Sequence, residues 1–237
     1  MGSSTEKQIN FAHFFTLTMK ITKYAHSCLL IEAKNKKVLV DPGTYNYDPA
    51  WLMKDWTNVH LILLTHRHSD HCNVSALKYL VEKGAMIFSS RDVQEAYPEL
   101  KIHIVKEGDA LNIPGGLKIV VTKAVHGYFP GMPGTNLKEN IGFIIDEDGK
   151  KAYITSDTIS FPNDYKCDAI FLPMNGQGIT MGPKEAVAYA KGSGASCVYP
   201  IHGDSENFPM DWDKVKAELE KAGLNYRILE LGESVEI

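Results

Sequence analysis

The chain has little cysteine and uses it singly. Cys28, Cys72, Cys167 and Cys197 stand far apart with no C-x-x-C pair, which argues against a disulfide frame and reads as buried thiols in a reducing compartment. No apolar stretch approaches the length of a membrane span. The first 18 residues lack a basic start, a long apolar stretch and a small-residue cleavage site, so a secretory signal is not expected and a cytoplasmic location is. Positive charge is not in excess either. A net charge of −4 and a pI near 6.1 give no global attraction to nucleic acid or to acidic membranes. No repeat, low-complexity tract or linker breaks the sequence.

What remains is an ordinary soluble composition, 44% hydrophobic and 23% charged over 237 residues, long enough for one sizeable core. A single domain over residues 19–237 is expected. Residues 1–18 form an N-terminal extension whose Phe11, Phe14 and Phe15 could dock on the body. Short strands are predicted at 19–24, 28–33 and 37–40, followed by an irregular aromatic stretch at 45–57. Apolar spacing predicts helices over 74–82 and 91–97, with strands at 85–89, 101–105 and 117–125. A hairpin is expected over 140–155 and a buried strand at 168–172. A helix over 182–192 starts on Pro183 and stops at Gly192. A strand at 196–201, a helix from Asp211 to Ala222 and a closing strand at 226–231 complete the chain. A meander followed by helices, then the same again, suggests two similar halves facing each other.

The densest chemistry follows an apolar run. Leu61-Ile-Leu-Leu64 reads as a buried strand, and His66, His68, Asp70 and His71 come directly after it. A loop leaving a strand edge can turn alternate side chains into one cleft. His66 and His68 can then share one cation, leaving Asp70 and His71 for a second; the alternative is a polar turn whose histidines bond one another. Three more candidates stand at predicted strand exits: His126, Asp157 and His202. Each alone is more often structural, but their arrival at separate strand ends favours a common site.

Thr65-His-Arg-His-Ser-Asp-His71 resembles the signature of the metallo-β-lactamase superfamily of dinuclear metallohydrolases, and the resemblance runs from about residue 19 to the C-terminus. It implies an α/β fold, the αββα four-layer sandwich of two facing mixed β-sheets flanked by helices. It implies that His66, His68 and His126 hold one divalent ion, that Asp70, His71 and His202 hold a second, and that Asp157 bridges them. Nitrogen-rich tetrahedral coordination favours zinc, and manganese or iron fits such mixed sites. Two cations about 3.5–4 Å apart would turn a shared water into a hydroxide that attacks carbonyl carbon or phosphorus. Asp70 would orient that nucleophile, and His26 would be a substrate-side group or a proton donor to the leaving group. Asp41 is expected to anchor the ligand loop.

The same resemblance separates the chain from some relatives. Oxygen-reducing di-iron members place a glutamate where His68 stands, common zinc β-lactamases place a cysteine where Asp157 stands, and the nucleases carry added nucleic-acid elements. Met181-Gly-Pro-Lys-Glu-Ala-Val187 and Pro200-Ile-His-Gly203 resemble a branch of metal-dependent hydrolases similar to ascorbate-6-phosphate lactonase and N-acylphosphatidylethanolamine phospholipase D. Two departures stand out: Ser156 where glycine is usual, and a Gly/Pro/aromatic segment at 127–135, read either as a substrate-facing lid or as a rigid hairpin connection. The expected function is hydrolysis of a small ester, lactone or phosphodiester, with no nucleic-acid partner and a homo-oligomer left open. The alternatives are a nucleotide or lipid phosphodiesterase, or a non-catalytic metal-binding regulatory protein.

Overall fold

A computed structural model describes residues 18–127, 137–177, 179–206 and 208–237. The extension expected at 1–18 falls outside them but for Thr18, and the segment at 127–135 falls outside them but for Gly127.

Two mixed sheets face each other. The first carries β1 (Lys20–Lys23), β2 (Leu29–Ala33), β3 (Lys36–Val40), β4 (Leu61–Leu63), β5 (Met86–Ser89) and β6 (Ile102–Ile104) side by side in chain order. The second carries β7 (Ala110–Ile113), β8 (Leu117–Lys123), β9 (Ile141–Glu147), β10 (Lys150–Ile154), β11 (Ala169–Pro173) and β12 (Cys197–Ile201), also in chain order. In both, an antiparallel meander gives way to parallel strands: β3 pairs with β4 in parallel, and β10 with β11. Parallel neighbours require crossovers, and helices make three of them: α2 (Val74–Glu82) from β4 to β5, α3 (Arg91–Ala96) from β5 to β6, and α4 (Pro183–Ser193) from β11 to β12. A final strand, β13 (Ser234–Glu236), returns to pair antiparallel with β1.

Alternation along the strands builds the layers. Leu61 and Leu63 of β4 face the core between the sheets, with Ile21, Ile31, Val38, Ile119, Phe143, Ile154 and Phe171. Ile62 and Leu64 point the other way, onto Leu77, Leu80 and Val93 from α2 and α3. Burial on both faces explains why this strand reads as an unbroken apolar run. Ile144, Tyr153 and Ile170 make the matching outer contact with Ala186, Tyr189 and Leu219 of α4 and α5 (Trp212–Lys221). The result is the expected αββα sandwich.

Several local expectations are corrected. The aromatic stretch at 45–57 holds a short helix, α1 (Ala50–Lys54), whose first turn is fixed by Asp48 accepting from Ala50 N at 2.8 Å. Trp51 and Trp56 pack there against Tyr24, with ring centroids 5.1 and 5.4 Å away, so this segment covers the core. The helix expected to stop at Gly192 continues to Ser193 and ends on Gly194 in the left-handed conformation. Gly192 serves a close approach instead, since a Cβ there would lie 2.8 Å from the Asn163 carbonyl. The strand expected at 226–231 is a single bridge from Tyr226 to Val198. Beyond it the chain crosses to the first sheet, where Gly232 N donates to Lys23 O at 2.8 Å and β13 closes the edge.

Candidate metal centre

His66, His68, Asp70 and His71 follow β4, Asp157 follows β10 and His202 follows β12, strands with parallel neighbours whose ends are where open α/β sheets place their sites. His126 joins them from the end of the antiparallel β8. Asp41, just past β3, organises the loop that follows β4. One of its carboxylate oxygens accepts from Thr65 N at 2.8 Å, the other from Thr65 Oγ1 at 2.7 Å, and the latter also faces His71 Nδ1 at 2.9 Å. The single Thr65 hydroxyl proton goes to Asp41, so Thr65 Oγ1 accepts from His66 Nδ1, 3.0 Å away. His66 therefore carries its proton on Nδ1 and presents a bare Nε2 lone pair to the cleft, while His71 holds a proton on Nδ1 against Asp41 and turns Nε2 to the same cleft. His126 does the same, donating from Nδ1 to Gly127 O at 3.1 Å.

The loop itself is clamped from outside. Arg67 points away from the cleft, its Nε 3.1 Å from Asp92 on α3, while Arg67 O accepts from Tyr97 Oη at 2.7 Å. Gly43 lets the turn after Asp41 pass beneath this loop, because a Cβ would meet Asp70 O at 1.6 Å. Cys72 donates its thiol to His66 O at 3.1 Å and is a packing residue.

The second sheet supplies the opposite wall. Ser156, at φ 64, turns the chain after β10 so that Asp157 faces the histidines. This left-handed backbone is the conformation that glycine adopts freely, which accounts for glycine being usual there. The serine makes its hydroxyl useful: Oγ donates to Asn140 Oδ1 at 2.7 Å, and Asn140 Nδ2 donates to Asp157 O at 2.8 Å. Asp157 Oδ2 then lies 3.0 Å from His202 Nε2, 3.3 Å from His71 Nε2 and 3.8 Å from His126 Nε2. His202 follows β12 at φ 69, and His26 follows β1 at φ 60. Non-glycine residues with positive φ, clustered this way, are what a constrained functional site looks like.

The structure brings His66, His68, Asp70, His71, His126, Asp157 and His202 into one cleft. Their ligand atoms fall into overlapping sets within 4.8 Å of one another: His66, His68 and His126; His66, His71 and Asp157; and His26, Asp70, His71 and His202. The first set joins the histidines expected for one ion. The third joins those expected for the other and adds His26, whose Nε2 is 3.3 Å from Asp70 Oδ2. Asp157 belongs with donors of both.

These residues fit bound metal. The Nε2 atoms of His26, His66, His71 and His202 and Oδ1 of Asp157 are buried and make no hydrogen bond. A single buried polar atom left unpaired costs about 1–3 kcal/mol, and here several converge on one spot. Tetrahedral donors about 2.05 Å from a zinc ion lie about 3.3 Å apart, close to the separations at Asp157.

Electrostatics divides the charges. Burial, reinforced by His71, holds His66 well below the usual histidine range, and burial with His202 lowers His26 to about 4. Burial also opposes the charged forms of Asp70, Asp157 and His71 but is outweighed in each. His71 and His26 keep the Asp70 carboxyl low, His202 and His71 keep Asp157 low, and Asp157, Asp41 and Asp70 raise His71. With protons as the only cations, His71 is the imidazolium between two carboxylates.

Sequence reasoning passed over Asn140, Asn175 and the pair Lys23–Asp204. Asn175 Nδ2 lies 3.3 Å from His202 Nδ1. Only Lys23 left a signal, since it shares the parity of Ile21 on β1 and so sits on the core-facing side.

Residues 20–202 match the family model of the Beta-lactamase superfamily domain, a span that runs from β1 to His202. A UPF0173 metal-dependent hydrolase of Anoxybacillus flavithermus is 30% identical, over 92% of this chain and 100% of its own length. Another, from Christiangramia forsetii, is 28% identical over the same shares. Among solved structures, Igni18, a metallo hydrolase from Ignicoccus hospitalis, superposes with a TM-score of 0.74 at 24% identity, covering 93% of this chain and 98% of that one.

Proposed function

The chain belongs to the metallo-β-lactamase superfamily of metal-dependent hydrolases, and from that premise we propose that it uses two divalent cations to hydrolyse a small ester, lactone or phosphodiester. The observation that carries this reading is the convergence of unpaired Nε2 atoms on Asp157 from both sheets. His66, His68 and His126 would hold one ion; Asp70, His71 and His202 would hold the other, with Asp157 between them. Zinc suits the donor set best. Bound there, the ions would supply an ionised water and polarise the scissile bond.

The protein's own groups do the rest. Asp41 and Thr65 fix the tautomers that leave Nε2 free on His71 and His66. Asp70 orients the attacking water. His26 is neutral at pH 7 and faces the Asp70 carboxylate, so it steadies Asp70 and exchanges a proton at Nε2. In the same reading residues 19–237 are one hydrolase domain. No helix among the described residues is long and apolar enough to cross a membrane.

The test is to count metals on the purified protein and to screen p-nitrophenyl esters, a lactone panel and bis-p-nitrophenyl phosphate. Two ions per chain with turnover of esters or lactones is the expected result. Turnover of the phosphodiester alone would favour a nucleotide or lipid phosphodiesterase. Two ions without turnover anywhere would favour a metal-binding regulatory protein.

The charge pattern predicts a pH dependence. His71 is raised in the folded chain, so without metal its stabilising contribution is full below the unfolded value of about 6.5 and fades as pH rises through the folded value. Asp70 and Asp157 are lowered, so their contribution is present above about 3.9 and fades as pH falls through their folded values. Metal binding displaces the His71 proton, whereas His66 has none on Nε2 to lose. Chelator-treated protein is therefore expected to lose melting temperature on the alkaline side, and metal-loaded protein to keep it. Calorimetric titration near pH 7, in buffers of different ionisation enthalpy, is expected to show net proton release on metal binding, to which the His71 proton and the ionised water both contribute.

A further inference from the structure

The final residue of β1 is a lysine on the core-facing side of the strand, and its side chain is only 3% exposed. Lys23 Nζ donates to Asp204 Oδ2 at 2.6 Å and to Tyr24 O at 3.2 Å. The same Asp204 oxygen accepts from His26 N at 2.8 Å. Asp204 O in turn accepts from Asn46 Nδ2 at 2.6 Å, and His202 N donates to His26 O at 3.2 Å. One carboxylate thus ties the end of β1, in the first sheet, to the loop leaving β12, in the second. It does so between the two histidines that hold left-handed backbone, whose rings lie 3.7 Å apart.

Stability does not explain the pair. The Lys23 ammonium is buried and the Asp204 carboxylate is 21% exposed; a pair so desolvated gains little over apolar residues of the same shape, whereas a lone buried ammonium is costly. What an ion pair adds is direction, because a charged donor and acceptor tolerate little displacement. This pair acts at one end of the cleft only. It touches the segments carrying His26 and His202, and none of its hydrogen bonds reaches His66, His68 or His126.

We propose that Lys23 and Asp204 are positioning residues that set the geometry of the Asp70, His71 and His202 cation position and leave the His66, His68 and His126 position untouched. The proposal rests on the two-cation reading above. It predicts an asymmetry that general destabilisation would not produce.

The experiment is a competition titration of the full chain with zinc against a chromophoric chelator, for wild type, Lys23→Met and the double variant Lys23→Met/Asp204→Asn. The double variant leaves no unpaired buried charge and keeps an oxygen for His26 N, so it is the safer test should Lys23→Met alone fail to fold. Both variants are expected to bind one ion as wild type does and the other about 10- to 100-fold more weakly, the usual scale for losing an outer partner of a metal ligand. A folded variant that binds both ions like wild type, or weakens both equally, overturns the clasp. Wild type that binds a single ion overturns the two-cation reading and the clasp with it.

Discussion

Asp157→Ala is expected to hold fewer than two metal ions per chain and to lose hydrolysis by about 10³-fold or more, given that losing one electrostatic stabiliser in an active site already costs about 10²–10³. The effect is large because Asp157 faces histidines of both expected ion positions. Its Oδ2 faces His202 and His71 at 3.0 and 3.3 Å and His126 at 3.8 Å, from a side chain only 3% exposed. Removing the carboxylate takes away a negative charge between the two proposed cation positions, and among the described ligand sets the other acidic side chain, Asp70, stands with only one of them. Asp157→Asn is the informative companion. It keeps the shape and one oxygen but not the charge, so it is expected to retain the fold and still bind less metal. An Asp157→Ala protein that keeps both ions by mass spectrometry under native conditions would remove Asp157 from the bridging position.

Asp41→Ala is expected to destabilise the metal-free fold by about 3–5 kcal/mol, the range for breaking a fully buried charged partnership, and to weaken metal binding by about 10- to 100-fold. Asp41 and His71 are both completely buried. The carboxylate accepts from Thr65 N and Oγ1 and faces His71 Nδ1. Without it Thr65 is free to turn its hydroxyl proton toward His66, and His71 loses the partner that keeps the proton off Nε2. Two donors of different ion sets would thus lose their tautomer together. Chemical denaturation of metal-free protein measures the first effect and zinc competition the second. A variant with wild-type stability and altered affinity would make Asp41 a tuner of the site without a role in holding the loop.

Much of this was legible beforehand because the motif is local. His66, His68, Asp70 and His71 follow one strand closely, and a chain turning out of a buried strand has few ways to point them. His126, Asp157 and His202 stand as candidate ligands at strand exits, with the family resemblance supplying their grouping. The strands and the two similar halves were legible because alternation and apolar runs survive in the sequence whatever the partner strand, while the four-layer arrangement came with the family resemblance. Other features depended on contacts across the whole chain. Lys23 and Asp204 stand 181 residues apart, and neither carries a mark of the other beyond the parity of Lys23. The helix Ala50–Lys54 is too short to establish a period among its aromatic neighbours. The alternation at 226–231 looks like a strand, but only Tyr226 finds a partner before the chain crosses to the other sheet.

The pairing of β13 with β1, Lys20 opposite Glu236, has a consequence for how the molecule comes into being. During translation every donor side chain of the cleft, the last being His202, has been made before Ser234 is added. The first sheet meanwhile keeps an open edge at β1, with unpaired amide and carbonyl groups beside the segment that leads to His26. Contacts between such distant parts of a polypeptide form late and slowly. The nascent chain therefore owns its candidate ligands while the strand that shields this flank is still unwritten, and the flank is seated only once Ser234–Glu236 has been added.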